Sequence, residues 1–488
     1  MIEAKFYFKE GKEVQTFCNI YKNNILISKF DFQNSIKLNQ KDNRITENIK
    51  ENTKLTFFEN EIYFYFQKKY FDQIDALFSE NIIDKVSFNG KNELLFYIRS
   101  FCKKNKIPYY PSAGILSEKF HLITSVIKSI LISIIGAFYI SFFILLYRNK
   151  KKQTDFHRNK FFSLIHSIAS YNKIHKIIRN DSLYFFDSFK MKISQNENHL
   201  PFFSIFNLSA KLSNLYLIPT QSIILSFKIF IVLKKLYGSE AAALILIFFS
   251  KRIPHFIYVK KSYENIFLKS KATKFYSGER ESRYGILAMS LRNKNKISAI
   301  AIPHGMAYSY NFPLGIYGDK YYATTQEEAD FLQKKYPEKE IIFNENVLMK
   351  MFSFNLNKKE KGVVFFTEPR RIEVNIKIIT LILASLPTLR IKLHPADNKR
   401  NYIQFKNLDY IEDFSDSISN NICIARKSTI LIEALYNKST PIAVLFDKQD
   451  KFDFENIFPA LNSKGVNKVF TKQQLELILE SHKSLINV

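Results

Sequence analysis

Apolar and polar positions follow three regimes along the chain. From Met1 to about Lys85, Lys, Asn and Phe are mixed with short apolar runs such as Leu55-Thr56-Phe57-Phe58 and Ile62-Tyr63-Phe64-Tyr65, which predict strands or short helices. Lys85 to Gly90 then reads as a strand ending in a turn pair, Glu93 to Asn105 has helical spacing, and Ile107 to Pro111 reads as a second strand. That is half of a βαβ pattern. The second regime opens at Leu122. From there to Tyr147 the chain is apolar almost without a break, interrupted by Lys128 and small polar residues. Its uninterrupted part, Ile130 to Tyr147, lies at the lower limit of the ~17–25 residues that cross a bilayer. Arg148 to Lys152 closes it with a basic flank suited to anionic headgroups. Ile223 to Leu233 and Ala241 to Phe249 extend the same helical region. A single crossing would put the βα units before and after it on opposite sides of a membrane, which one shared fold forbids. An interfacial helix, a re-entrant hairpin or a buried core helix is expected instead.

The third regime, after Lys251, is regular. Strands are predicted at Lys274–Ser277, Ser298–Pro303, Lys320–Thr324, Gly362–Phe366, Leu389–Leu393, Asn421–Ala425 and Pro441–Phe446, with helices at Glu281–Leu291, Gln326–Lys335, Arg371–Ser385 and Ser428–Tyr436. The polar stretch Tyr336 to Lys361 reads as a linker. Strand–helix alternation at this spacing predicts parallel sheets covered on both faces. The expected fold class is therefore α/β and GT-B-like: two doubly wound Rossmann-type domains facing a cleft, with a helical apolar insertion in the N-terminal half. The expected boundaries are 1–115 for an N-terminal α/β segment, 116–250 for the insertion, 251–345 for the remainder of the N-terminal domain, and 362–488 for the C-terminal domain.

Composition changes this picture in two places. Of 488 residues, 46% are hydrophobic and 15% aromatic, which excludes wholesale disorder. Lys+Arg 72 against Asp+Glu 45 gives +27, so an anionic partner is expected, with nucleic acid, acidic lipid and a phosphorylated substrate as the classes to separate. Part of that surplus follows a chain-wide excess of Lys, Asn, Ile and Phe. The three cysteines, Cys18, Cys102 and Cys423, are far apart and form neither a metal-ligand spacing nor a disulfide framework, as in a reducing compartment. Nothing near Met1 reads as a signal peptide.

Candidate chemistry sits at strand ends. His394 and Pro395 leave the strand Leu389–Leu393, where an imidazole can donate to a phosphate oxygen as charge builds on it. Arg426-Lys427-Ser428-Thr429 opens a helix after another strand. Ser428 or Thr429 is there either an N-cap or, with the helix amides and the two cations, an anion site. Glu433, one turn on, is placed to reach a ribose hydroxyl. Thr367 and Glu368 begin the first βα loop of the C-terminal domain, which in this architecture lines a nucleotide pocket. In the upstream domain His304 and Gly305 end the strand Ser298–Pro303; His304 is a candidate base for an acceptor hydroxyl or a sugar contact, and Gly305 lets backbone approach a ligand. Gly278, Glu279 and Glu281 end the neighbouring strand, and the two carboxylates are rival bases. The other histidines have no partner spacing and read as structural or surface. HExxH, DxD, Walker A and Gly-rich dinucleotide fingerprints are absent from the sequence, so neither metal nor cofactor is expected.

Taken together, the His-Gly pair, the His-Pro pair, and the Ser/Thr helix start ahead of Glu433-Ala434-Leu435 and the Pro441-Ile442 strand resemble the GT-B transferases of bacterial surface polysaccharides. These are the sialyltransferases, the capsule-type Kdo transferases and the CDP-glycerol glycerophosphotransferases. The resemblance covers Lys274 to Phe446. It implies that His394, Ser428 and Thr429 hold the phosphate of a cytidine nucleotide donor, and that His304 occupies the position catalytic in the glycerophosphotransferases. Two departures stand out: the acidic base motif of the sialyltransferases is missing, and Met306-Ala307-Tyr308-Ser309-Tyr310 replaces the Thr-rich segment that follows His-Gly in the glycerophosphotransferases.

The implied activity is transfer of an acidic sugar (sialic acid, a related nonulosonic acid or Kdo) from a CMP-activated donor. The acceptor is a lipid-linked or polymeric glycan of capsule, lipopolysaccharide or lipooligosaccharide, reached at the anionic cytoplasmic face of the inner membrane. Two rivals remain: a CDP-glycerol or CDP-ribitol polyol-phosphate transferase, and a non-catalytic scaffold of a polysaccharide assembly complex. A nucleic-acid partner is not expected, because the polar groups lie at strand ends rather than in a basic stripe with interleaved aromatics.

Overall fold

The computed structural model describes residues 1–9, 15–31, 56–89, 93–110, 115–147, 161–178, 182–193, 198–279, 282–292, 297–303, 305–354, 362–369 and 371–486. The N-terminal strands are β1 (Ile2–Lys9), β2 (Gln15–Lys22), β3 (Ile25–Asp31), β4 (Lys85–Asn89) and β5 (Tyr109–Tyr110), joined in the order β3-β2-β1-β4-β5. The first three form an antiparallel meander, and β1, β4 and β5 are parallel. Helices α1 (Asp72–Glu80) and α2 (Glu93–Lys104) follow a helical stretch over 56–71, and the long α3 (Ile115–Leu146) leaves this sheet.

The second sheet contains β6 (Phe161–Ile165), β7 (Leu183–Phe186), β8 (His199–Pro201), β9 (Lys274–Ser277), β10 (Ser298–Ala301), β11 (Lys320–Tyr322) and β12 (Glu340–Ile342). Its order is β12-β11-β10-β9-β6-β7-β8 and every pairing is parallel. The helices of this half are α4 (Ile168–Ile177), α5 (Leu208–Tyr237), α6 (Ser239–Ser250), α7 (Arg252–Lys269), α8 (Arg283–Arg292), α9 (Gln326–Lys335) and α10 (Glu345–Phe352). The third sheet is β13 (Val363–Phe366), β14 (Leu389–Lys392), β15 (Leu408–Tyr410), β16 (Ile422–Ala425), β17 (Thr440–Val444) and β18 (Asn467–Val469), ordered β15-β14-β13-β16-β17-β18 and wholly parallel. Helices α11 (Ile372–Ser385), α12 (Ile430–Leu435) and α13 (Lys448–Asn456) pack around it.

The chain is thus α/β, with two doubly wound Rossmann-like domains in a GT-B-like arrangement. Each sheet reverses its winding once: between β6 and β9 in the second, and between β13 and β16 in the third. A ligand crevice belongs outside the carboxyl ends of the strands at those two points.

Two expected boundaries need correction. Residues 116–250 are not purely helical, because they contribute β6, β7 and β8 to the main sheet of the N-terminal domain. The first 115 residues build a separate sheet. The 336–361 stretch is not all linker either: it holds β12 and α10, and only 355–361 lies outside the described residues. The apolar runs 162–165 and Leu183–Phe186 are buried throughout, so they carry no alternation to distinguish them from the apolar helices around them.

Helices α3 and α5 have an inverted polarity. Ser125, Ser129, Ser133, Ala137 and Ser141 recur every four residues on α3 and are buried, whereas Ile123, Ile127, Leu131, Ile135, Tyr139, Phe142 and Leu146 are exposed. On α5, Asn214, Ser222 and Ser226 are buried while Leu212, Tyr216, Ile224, Phe227 and Ile231 face outward. Small side chains let the helices approach closely, and the Ser141 hydroxyl donates to the Asn214 carbonyl at 2.7 Å. Both helices are long and apolar enough to cross a membrane, yet 33% of each apolar window is buried against the protein. The segments on either side of α3 also pack together. Arg283 of α8 pairs with Glu61, and Arg99 of α2 lies 3.4 Å from Glu240 of α6. The pair therefore lies along the flank of the molecule with one face outward.

Candidate functional site

The C-terminal half of the site is built across three adjacent strand ends. The backbone N–H of His394, past β14, donates to Thr367 Oγ1 at 3.0 Å, past β13. Glu368, the next residue, accepts the Lys427 backbone N–H at 3.1 Å, past β16. At the ~4.8 Å spacing of neighbouring strands, His394 and Ser428 stand about 10 Å apart on one crevice edge with the Thr367–Glu368 turn between them.

The loop after β14 also sets the tautomer of His394. The Ala396 N–H donates to His394 Nδ1 at 3.1 Å, so in the neutral ring Nε2 carries the proton. Asp397 holds this turn: its N–H donates to the His394 carbonyl at 2.8 Å and its carboxylate accepts from Tyr402 at 2.6 Å. Tyr402 in turn accepts from Asn375, which also donates to the Glu368 carbonyl. His394 and Pro395 are exposed, so a donor N–H faces outward from a braced loop.

Thr429 stands at the N-cap position just before α12, already in helical conformation, and its side chain makes no capping bond. Its hydroxyl meets the upstream domain instead: a Cβ built on Gly305 would lie 3.1 Å from Thr429 Oγ1. The structure therefore brings Gly305 and the Ser/Thr helix start together across the domain boundary. Ser428 Oγ accepts the Ile430 N–H at 3.4 Å. Glu433 pairs with Lys173 of α4 at 3.0 Å, a second bridge between the domains, and Tyr436 adds a third by donating to the Thr324 carbonyl at 2.8 Å. A shared apolar core that includes Ile302, Met306, Leu431 and Ile432 backs all three.

The expected role of the two cations is corrected. Arg426 has 1% of its side chain exposed and pairs with Asp450 through Nε at 2.5 Å and Nη2 at 2.8 Å, with Glu368 at 3.6 Å. Lys427 pairs with Asp453 and lies 3.4 Å from Asp450. Both charges are turned inward and neutralised, so they fix the loop that carries Ser428 and Thr429 rather than opening on the crevice.

In the upstream half, His304 and Glu281 lie outside the described residues. Glu279 is half-buried past β9, where it accepts the Ser282 hydroxyl, and its own N–H donates to Ser277 Oγ at 3.2 Å. Gly278 sits against α4, where a Cβ would come 2.2 Å from Ser170 Oγ and 2.7 Å from Ser170 Cβ. Gly278→Ala is expected to cost about 1–3 kcal/mol, as forced overpacking does. Thermal melts should show the Gly278→Ala/Ser170→Gly double variant less destabilised than the sum of its single changes.

One constellation escaped the sequence reading. His166 follows β6 and Asp187 follows β7, the strands next to the winding reversal. Asp187 is fully buried between two imidazoles, with His166 Nδ1 at 3.4 Å and His255 Nε2, from α7, at 2.8 Å from Oδ2. His166 Nε2 contacts the Tyr263 hydroxyl at 2.5 Å, and His255 Nδ1 contacts the Tyr284 hydroxyl. All four ring nitrogens thus face protein groups. Burial alone would raise the Asp187 pKa; the charge of His255 and the bonds from both imidazoles outweigh it and hold the carboxyl well below its usual range. Burial lowers the pKa of His255. The signal for these residues was the one that singled out His394, a polar residue directly after an apolar run. It was lost because the runs themselves were not read as strands.

No family profile and no curated protein sequence matches this chain. Solved structures with a similar course include the UDP-GlcNAc 2-epimerase of Methanocaldococcus jannaschii, with 12% identity and a TM-score of 0.39 over 67% of this chain and 93% of that one. The UDP-GlcNAc 2-epimerase of Neisseria meningitidis, bound to UDP-GlcNAc, is also similar, with 12% identity and a TM-score of 0.36 over 67% and 91%. Such neighbours say nothing about which residues of this chain do chemistry.

Proposed function

We propose that this chain is a metal-independent glycosyltransferase that takes an acidic sugar from a CMP-activated donor to a lipid-linked or polymeric bacterial surface glycan. The observation that carries this reading is the meeting of Gly305 with Thr429 at the edge where the His394 N–H donates to Thr367 and the Lys427 N–H to Glu368. A nucleotide monophosphate leaving group develops charge on one phosphate, which a compact set of one imidazole N–H, two hydroxyls and helix amides can stabilise without a metal. His394 Nε2 donates from one side of the crevice edge and Ser428 and Thr429 from the other. Glu279 is the candidate base among the described residues, and His304 its rival. Closure of the two domains over the bound donor removes water that would hydrolyse it.

The inverted polarity of α3 and α5 supports a monotopic seat on the cytoplasmic face of the inner membrane. The outward face is almost wholly large and apolar, while the inward face mixes small polar residues with Ile140, Ile144, Ile218 and Ile229, so the outward face is not that of a water-facing helix. Lipid is the medium in which that arrangement is favourable.

Titration with CMP, CDP, UDP and GDP tests the donor. CMP is expected to bind most tightly, and His394→Ala to weaken it by roughly 1.5–3 kcal/mol, the scale of a hydrogen bond to a charged group. A preference for UDP or GDP would remove the cytidine assignment. Turnover of CDP-alditols with CMP-sugars inert would move the chain to the polyol-phosphate transferases.

A further inference from the structure

A cavity of about 570 Å³ opens where α2, α3, α5 and α6 meet, at the end of the apolar flank remote from the crevice. Its walls carry Lys103 and Lys104 from the end of α2 and Lys234 and Lys235 from the end of α5, with Leu122 at the start of the outward apolar stripe. Among the described residues one carboxylate lines the cavity with these four ammonium groups: Glu240, buried at the start of α6, which pairs with Lys103 and lies 3.4 Å from Arg99. Among the described residues Lys104, Lys234 and Lys235 have no acidic partner, and all three are exposed. Cationic surface is thus concentrated in a recess at one end of a helix pair whose outward face is apolar.

We infer that this recess binds the phosphate headgroup of an anionic membrane lipid whose acyl chains lie along α3 and α5. Rows of apolar side chains and a cationic pocket at their end match the two parts of such a lipid, each by its own chemistry. The recess anchors the protein and does not present the acceptor. Leu122 is 21 residues from Phe143, which packs on Phe189 beside Asp187, and at 1.5 Å per residue that is about 30 Å from the strand ends. The inference rests on the membrane seat proposed above and adds to it a headgroup preference located in named residues.

Flotation with phosphatidylcholine vesicles, with and without phosphatidylglycerol, tests it. The wild type is expected to prefer the anionic vesicles, and the triple variant Lys104→Glu/Lys234→Glu/Lys235→Glu to lose that preference by tenfold or more while its CMP affinity stays unchanged. Reversing Lys406, Lys448 and Lys464, equally exposed on the C-terminal domain, controls for overall charge and is expected to change the preference less than twofold. Equal losses in both triple variants, or no loss in the first, would overturn the headgroup site and leave the membrane seat standing. Failure of the wild type to float with either vesicle would overturn the seat itself. Competition of soluble glycerol phosphate at lipid-equivalent concentration would show a free-anion site and also overturn the inference.

Discussion

Asp450→Ala is expected to destabilise the C-terminal domain by about 3–5 kcal/mol, because it leaves the Arg426 guanidinium buried without its counter-ion. Asp450 is fully buried and Arg426 is 1% exposed, so neither group can turn to water when the other is removed. Asn375 Oδ1 at 3.4 Å and Glu368 at 3.6 Å are too distant to replace a bidentate contact. For a domain of this size the loss corresponds to a Tm lower by roughly 10–20 °C. The Arg426→Met/Asp450→Leu double variant should recover most of it, since apolar side chains of similar volume remove both desolvation costs. Recovery of stability without CMP binding would show that the pair serves the Ser428–Thr429 loop. If Asp450→Ala melts with the wild type, Arg426 is not held as described.

The C-terminal domain was legible almost strand for strand because each strand is a short apolar run bounded by polar residues, and its helices are long enough to show their spacing. The same rule located His394, Ser428 and Thr429, which stand where runs end. It did not show that Arg426 and Lys427 point inward, since Asp450 and Asp453 lie three elements later and no spacing links them. In the N-terminal half the rule failed for the opposite reason. There Phe, Ile and Leu are so frequent that the short apolar runs of β6 and β7 do not stand out from the apolar helices α3 and α5 on either side, and His166 and Asp187 were overlooked with them. The helices were legible as apolar but not as inverted: Ser125, Ser129, Ser133 and Ser141 look like interruptions of a membrane segment until their burial shows that they are its packing face. The meeting of Gly305 with Thr429, 124 residues apart, belongs to tertiary structure alone.

Asp187→Ala is expected to cost about 1–3 kcal/mol near neutral pH, because it leaves buried ring nitrogens of two imidazoles without the carboxylate they share. It also removes an acceptor of the Phe189 N–H, at 3.2 Å from Oδ1, so the turn after β7 loosens. The pH dependence separates the charge from the turn. The Asp187 pKa is depressed in the folded protein, so its contribution is complete above the unfolded carboxylate value, near 4, and is withdrawn as pH falls toward the lower folded value. His255 acts in the same direction over a higher window. Its folded pKa is lowered, so from about pH 6.5 downward the unfolded chain takes up a proton that the folded chain refuses. Wild-type stability should therefore fall on acidification in two stages; Asp187→Ala should lose the stage below about pH 4 and deepen the higher one, because the Asp187 carboxylate opposes the lowering of the His255 pKa by burial. Urea unfolding at about pH 7 and pH 5 reads the higher stage directly: the gap between wild type and variant is expected to widen at about pH 5, where Asp187 still keeps its full charge and His255 has lost its partner in the variant. A gap of constant size would mean that Asp187 acts through the turn alone, and that β7 is joined to the apolar helix α7 by packing rather than by a shared charge.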